Sequence, residues 1–208
     1  MGNGKIITFE GGEGTGKSTQ AARLISYLES EGLTCLSLRE PGGSPFSEEV
    51  RALFFREGLD VMTELLLVLA SRRQNIRDII EPALARDSIV VIDRFIDSTL
   101  VYQGMVDGLG VENVRAIMRS TGTWLEPDLT FVLDVDPGIS LARIRPEDKF
   151  ERRGKQFHEK LREGFREIAK EPRHYLIDSG RDHDKVHQEI RNVLEDLFLR
   201  ASPVRGDG

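Results

Sequence analysis

FEGGEGTGKSTQ, residues 9–20, is the stretch that decides the fold. Gly11, four further residues, Gly16, Lys17 and Ser18 complete the phosphate-loop pattern, and it falls after a β-rich run and before an amphipathic one, where a strand-to-helix turn can use it. The glycines let the backbone curl so that successive amide hydrogens point inward, and a helix starting near Lys17 adds its positive end. The whole run Gly11, Gly12, Glu13, Gly14, Thr15, Gly16, Lys17, Ser18 and Thr19 is therefore expected to hold nucleotide phosphates. Lys17 would reach the β and γ phosphates, and the Ser18 hydroxyl would ligate magnesium. One residue runs against this logic: Glu13 puts a carboxylate in the middle of a cradle for anions.

Outward from the loop, short β-rich runs alternate with longer helical patterns, which predicts an α/β fold with a parallel sheet flanked by helices. The strand candidates are KIITFE (5–10), LTCLSLRE (33–40), SIVVID (88–93), LTFVLDV (129–135) and HYLID (174–178), so five strands are expected. Ala21, Leu24, Ile25 and Leu28 mark one apolar helix face. Residues 62–85 read as a long, largely buried helix interrupted near Pro82, and residues 157–169 as an amphipathic one. The chain shows no internal repeat. A single domain over residues 1–200 is expected, with a disordered tail at 201–208. Arg205, Gly206 and Asp207 in that tail match a cell-adhesion tripeptide, which an exposed terminus without an export signal explains more simply.

Composition narrows the function. With 208 residues, 39% hydrophobic and 31% charged, the chain can bury one substantial core. A net charge of -6 gives no overall attraction to nucleic acid, which favours a small-molecule partner. The start MGNGKIITFE lacks the apolar run of a signal peptide, no stretch has the length of a membrane span, and the single Cys35, in a strand, reads as a small core residue. A cytoplasmic location, with neither membrane nor nucleic acid as partner, is the expectation.

A phosphate loop identifies the donor site and leaves the acceptor open. A small-molecule kinase, a GTP-driven switch and a non-catalytic nucleotide-binding module all compete. A switch needs an Asn-Lys-x-Asp guanine reader, and none of the four asparagines is followed by lysine. Asp107, Gly108, Leu109 and Gly110 match the switch pattern Asp-x-x-Gly, but they follow TLVYQGMV and read as a turn.

Three further stretches carry chemistry. In SIVVIDRFIDSTLVYQG (88–104) a hydrophobic strand ends in Asp93 and Arg94, which would emerge beside the phosphate loop at the carboxyl edge of the sheet. Asp93 suits a magnesium hydration shell, and Arg94 suits a phosphate clamp. REPGGSPFSEEVR (39–51) offers Glu40, a sharp turn at Pro41, and Arg51. Arg72 and Arg73 punctuate the apolar helix LLLVLASRRQN, and an arginine buried there needs an anion or a carbonyl to meet. His183 and His187 have helical spacing for a metal pair but read as the surface of a carboxy-terminal helix.

In this order and spacing, the FEGxEGxGKST loop, REPGG, ASRR, DRFIDSTLVYQG, PDLTFVLDV and a short DKFE segment resemble the thymidylate kinase family in its bacterial form, over essentially the whole chain to about Arg200. The resemblance implies a P-loop kinase with a short lid near 143–155, transfer of a phosphoryl group from ATP to dTMP with magnesium, and a homodimer. The runner-up is a kinase for another monophosphate, dUMP, dCMP or UMP.

The same resemblance implies the roles of the site residues. Glu13 faces the acceptor, near the deoxyribose 3′-hydroxyl, and steadies Arg94. Arg94, Arg51 and Glu40 serve the acceptor phosphate end, with Ser98 beside them. Arg72 donates to the thymine carbonyl, Thr99 or Gln103 meets the base N3 edge, and Tyr102 crowds the sugar 2′ side. Arg143 flanks the donor adenine. The segment RIRPEDKFERRGK is expected to close over ATP and bring Arg152 or Arg153 to the moving phosphate. Two positions depart from the family: Lys149 replaces the arginine of the DRxE lid pattern, and Val68 replaces the phenylalanine that stacks on thymine.

Overall fold

Buried, β-branched runs build the centre of the molecule. The computed structural model describes residues 4–145 and 148–199, so the tail at 201–208 and residues 146 and 147 of the expected lid lie outside the described residues. Strands β1 (Lys5–Glu10), β2 (Cys35–Arg39), β3 (Ile89–Asp93), β4 (Leu129–Asp134) and β5 (His174–Asp178) form one parallel sheet in the order β2-β3-β1-β4-β5. Central β1 is covered on both faces, as parallel strands between helix layers must be. The chain runs from β1 out to β2 and back to β3 on one side, then crosses to β4 and β5 on the other, which makes the carboxyl end of β1 the switch point where such sheets bind ligands. Register places Phe9 opposite Asp93, so the start of the phosphate loop and the Asp93–Arg94 pair leave the sheet side by side.

Helices α1 (Lys17–Ser30) and α9 (His183–Leu194) cover one face, packing Ala21, Leu24 and Leu28 with Val186 and Ile190 onto Ile7, Phe9 and Phe131. The other face takes α3 (Val61–Asn75), α6 (Val111–Ser120) and α8 (Lys155–Ile168), whose Leu65, Leu69, Val114, Leu161 and Phe165 join Ile6, Val90, Ile92 and Val132. Helix α2 (Pro45–Phe54), capped by the Ser44 hydroxyl, packs on α3. The helix that follows β3 opens as α5 (Ile96–Thr99) and continues through a π-helical stretch, Leu100–Val106.

The expected long helix over 62–85 is present, with its interruption displaced. α3 runs into one π-helical turn, Ile76–Ile80, and then into α4 (Glu81–Leu84), which holds Pro82. Pro82 has no amide hydrogen for the residue one turn earlier, and widening that turn accommodates the loss without ending the helix. A short helix α7 (Pro137–Leu141) follows β4 and ends just before the expected lid. Two details differ from expectation. β2 is shorter than the run 33–40, and Cys35, on that edge strand, is half-buried beside the core, where burial and then Glu29 push its thiol up to about 11. Among the described residues no helix is long and apolar enough to cross a membrane.

Candidate active site

The phosphate loop is shaped by contacts that only glycine permits. Gly11 has φ 136° and Gly14 has φ 67°; a Cβ at these positions would stand 2.4 Å from the Leu133 carbonyl oxygen and 2.1 Å from that of Ser140. The loop therefore presses against the end of β4 and against α7. The α1 ladder begins with Gln20 N–H donating to the Gly16 carbonyl, so the amides of Lys17, Ser18 and Thr19 stand ahead of it at the helix's positive end. Thr15 closes the turn by donating to the Gly12 carbonyl at 3.1 Å, and buried Lys17 donates to the same oxygen at 2.5 Å. Ser18 hydrogen-bonds Asp93 across the strand ends, bringing both candidate metal ligands to one point.

Glu13 turns away from the amide cradle. Its carboxylate meets Arg94 Nη2 at 2.7 Å and accepts from the Tyr102 hydroxyl at 2.6 Å. Arg94 Nη1 donates to the Gly11 carbonyl at 2.9 Å and to Ser98 Oγ at 3.3 Å, and the guanidinium lies 5.3 Å from the Tyr102 ring centre. Burial alone would raise the Glu13 pKa, but Arg94, Lys17 and the Tyr102 hydroxyl outweigh it and hold it at about 2. Burial, followed by the like charge of Arg94, lowers Lys17 to about 8 against the pull of Glu13 and Asp93. Glu13 is thus an ionised bridge between the phosphate loop and Arg94, offset by the two cations flanking it.

Deeper in the cleft, Arg72 has the partners that its burial demands. Its Nε donates to Glu40 Oε2 at 2.8 Å, its Nη2 to Thr99 Oγ1 at 2.8 Å, and its guanidinium lies over Phe95. Arg72 is 1% exposed and Glu40 4%. Burial raises the Glu40 carboxyl while Arg72 opposes the rise, and Oε1 of Glu40 has no hydrogen-bond partner within the protein. Neighbouring Arg73 is exposed and donates to the Gly122 carbonyl, outside the cleft. Arg51 is fixed by the Pro41 carbonyl at 2.7 Å.

One cavity of about 640 Å³ joins these groups. Glu13, Gly14, Gly16, Lys17, Ser18 and Thr19 line it on the phosphate-loop side, with Asp93 and Arg94 beside them. Glu40, Arg51, Arg72, Ser98, Thr99, Tyr102 and Gln103 line the rest of it, as does Arg143, which donates to the Ser179 carbonyl at 3.2 Å. Gly11, Gly12 and Thr15 form the back of the loop. Arg152 and Arg153 are not brought into this cavity: they pair with Glu57 at 3.6 Å and with Asp107 at 2.8 Å, and the Arg153 guanidinium lies over Phe157. The turn at Asp107, expected from the sequence, supplies that second carboxylate. Lys149 pairs with Glu64, with its amine near the Phe54 and Phe150 rings.

The comparisons with known proteins agree with this geometry. A family model described as thymidylate kinase matches residues 9–190. The chain belongs to the thymidylate kinase family. It is 42% identical to a thymidylate kinase of Methylobacillus flagellatus, covering 93% of this chain and 98% of that protein. It is 39% identical to one of Symbiobacterium thermophilum, covering 98% and 97%. A crystal structure of thymidylate kinase from Ehrlichia chaffeensis matches with a TM-score of 0.75 at 36% identity, covering 92% of this chain and 98% of that one.

Val68 lines the cavity, and so do Phe54 and Phe55, the aromatics in sequence best placed to stand in for the missing ring, together with Phe95 and Phe150, which the sequence reading passed over. Phe54, from α2, and Phe150, from the lid segment, stack with ring centres 5.5 Å apart at 24°, and Phe150 meets Tyr102 edge-on at 5.5 Å. The FF of RALFFRE and the F of DKFE were the available signals. A second omission is Glu10, the carboxylate that closes β1 directly before the loop.

Proposed function

We propose that this cleft carries the transfer of the γ-phosphoryl group from ATP to dTMP, giving dTDP and ADP on the route to dTTP, with Arg94 as the clamp on the acceptor phosphate. The observation that carries this reading is the Glu13–Arg94 bridge, which joins a phosphate-loop cradle to a pocket of buried arginine inside a single cavity. An oxygen of the dTMP phosphate attacks the γ-phosphorus as the bond to the β–γ bridging oxygen breaks and ADP leaves. No covalent enzyme intermediate is required, so the protein contributes alignment and positive charge.

On the donor side, the loop amides and Lys17 hold the ATP phosphates, and Arg143 flanks the adenine. Ser18 and Asp93 offer hard oxygen donors at one point, which suits magnesium. When bound, the ion neutralises charge on the phosphates being separated. On the acceptor side, Arg94 and Arg51 serve the phosphate, Glu13 and Tyr102 the sugar, and Arg72, Thr99 and Gln103 the base, with Glu40 orienting Arg72. Closure of the lid, bringing Arg152 or Arg153 from their present carboxylate partners to the transferred group, completes the charge.

A homodimer fits the apolar side chains left exposed on two adjacent helices: Phe46 and Leu53 on α2, and Met62 and Leu66 on α3. A cytoplasmic enzyme that binds neither membrane nor nucleic acid is the reading in keeping with the net charge of -6. The test is a coupled assay of ADP release with dTMP, dUMP, dCMP and UMP as acceptors. The proposal expects dTMP to give the highest kcat/KM; a higher value with another monophosphate would replace it, and ADP release independent of any acceptor would reject a kinase.

A further inference from the structure

Glu10 is a carboxylate with no solvent exposure at the end of a largely buried strand, one residue before Gly11. Both of its oxygens are engaged. Oε1 accepts from the Phe95 amide at 2.8 Å, and Oε2 accepts from the Ser98 hydroxyl at 2.5 Å. Ser98 Oγ in turn accepts from Arg94 Nη1 at 3.3 Å. Arg94 has φ 67°, a left-handed backbone that a residue with a Cβ adopts only when its surroundings impose it. The groups imposing it are the Arg94 amide bonded to the Phe9 carbonyl on one side and the Phe95 amide bonded to Glu10 on the other.

We propose that Glu10 is a positioning residue for phosphoryl transfer: it holds the Arg94–Phe95 turn and Ser98 so that the Arg94 guanidinium reaches back across the loop to Gly11 and Glu13. The inference rests on Arg94 acting as the acceptor clamp. Stability alone gives little reason for an acid here. A buried carboxylate forfeits hydration, and Asp97, itself buried and held by Arg173 at 2.7 Å and His174 at 3.1 Å, adds a like charge nearby. Burial, then Asp97, push Glu10 up to about 7 against the hydrogen bonds of Ser98 and Phe95 and the charge of Arg94. A neutral amide of the same length relieves that penalty while still offering an oxygen to Phe95 and an N–H to Ser98. An aspartate keeps the charge but is one methylene too short to reach both.

The experiment compares Glu10→Gln, Glu10→Asp and Arg94→Ala in the full chain. ADP release is measured with dTMP varied at saturating ATP and with ATP varied at saturating dTMP, alongside thermal melts. Glu10→Gln is expected to melt at or above wild type and to keep kcat/KM for dTMP within about threefold, whereas Glu10→Asp loses about 10- to 100-fold with KM for ATP moving less than about twofold. Wild-type kinetics in Glu10→Asp, an equal loss toward both substrates, or a loss in Glu10→Gln as deep as in Glu10→Asp would overturn the proposal. Should Glu10→Asp not fold, Ser98→Ala, which cuts the link to Arg94, must show the same split, and wild-type kinetics there would also overturn it. If Arg94→Ala itself turns over dTMP normally, the clamp reading fails and this inference with it. An impaired Arg94→Ala beside an unimpaired Glu10→Asp rejects only the positioning role.

Discussion

The Glu13 carboxylate and the Arg94 guanidinium stand 2.7 Å apart, one from the phosphate loop and the other from the residue that follows β3. This contact resolves the apparent conflict of an acid in an anion cradle. The acid faces the Arg94 cation, and in the proposed reaction the loop amides are left to the donor phosphates. A stability prediction follows from its pKa. Glu13 lies at about 2 rather than 4.5, so its ionised form, held by Arg94, Lys17 and Tyr102 against its burial, contributes on the order of 3 kcal/mol net. Because the folded-state value is depressed, that contribution is present above pH 4.5 and is lost as the pH falls from 4.5 toward 2. Melts of wild type and Glu13→Gln should differ at pH 7, and the difference should shrink progressively as the pH falls from 4.5 and close only toward pH 2. A gap independent of pH would show that the ion pair is not its source.

Arg72 and Glu40 form an ion pair with almost no solvent, and here removal of one partner strands the other. Arg72→Ala should cost about 3 to 5 kcal/mol in urea unfolding, and Arg72→Lys, which cannot meet Glu40 and Thr99 together in the same plane, should recover only part of it. A loss below about 1 kcal/mol in Arg72→Ala would mean that Glu40 is protonated or finds water.

Much of this was legible in the sequence because it depends on local pattern. Five parallel strands, the Gly11–Ser18 loop and the emergence of Asp93 and Arg94 beside it follow from runs of a few residues plus the right-handed logic of a parallel sheet. Arg72 was legible for a different reason: a cation on an apolar helix face must find a partner. The contacts of Arg152, Arg153 and Lys149 were not legible, since Glu57 and Glu64 come from one distant segment and Asp107 from another, brought beside residues 149–153 only by tertiary packing. Glu10 escaped notice because a single acid at a strand end looks like the first exposed residue of a loop. Only the fold shows that Phe95 and Ser98 close over it.

The cavity beside Val68 offers a gain-of-function test. A ring stacked on a nucleobase is worth about 1 to 3 kcal/mol, more than valine methyl groups supply. Val68→Phe should lower KM for dTMP several-fold with kcat within about twofold, and should widen the preference over dUMP. If Phe54, stacked on Phe150 in the same cavity, already supplies the platform, Val68→Phe will crowd the site and raise KM, and Phe54→Ala will raise it further. Measured KM values for these two variants decide between the outcomes.

The lid prediction concerns charge that arrives only in the reacting complex. Arg152 and Arg153 are engaged with Glu57 and Asp107 in this conformation, so neutralising both should leave KM for ATP within a few-fold and lower kcat by about 100-fold or more. Equal effects on kcat and KM, or none, would leave these side chains as surface anchors of the hinge.

The division of labour between Lys17 and Arg94 is most directly tested by steady-state kinetics of Lys17→Ala and Arg94→Ala, each measured against both substrates. Loss of Lys17 should raise KM for ATP and lower kcat while KM for dTMP changes little. Loss of Arg94 should fall mainly on dTMP, lowering kcat/KM for it by about 100-fold or more with KM for ATP near wild type. Near-normal dTMP turnover in Arg94→Ala, in a protein that melts like wild type, would contradict the assignment of the Glu13–Arg94 bridge to the acceptor side.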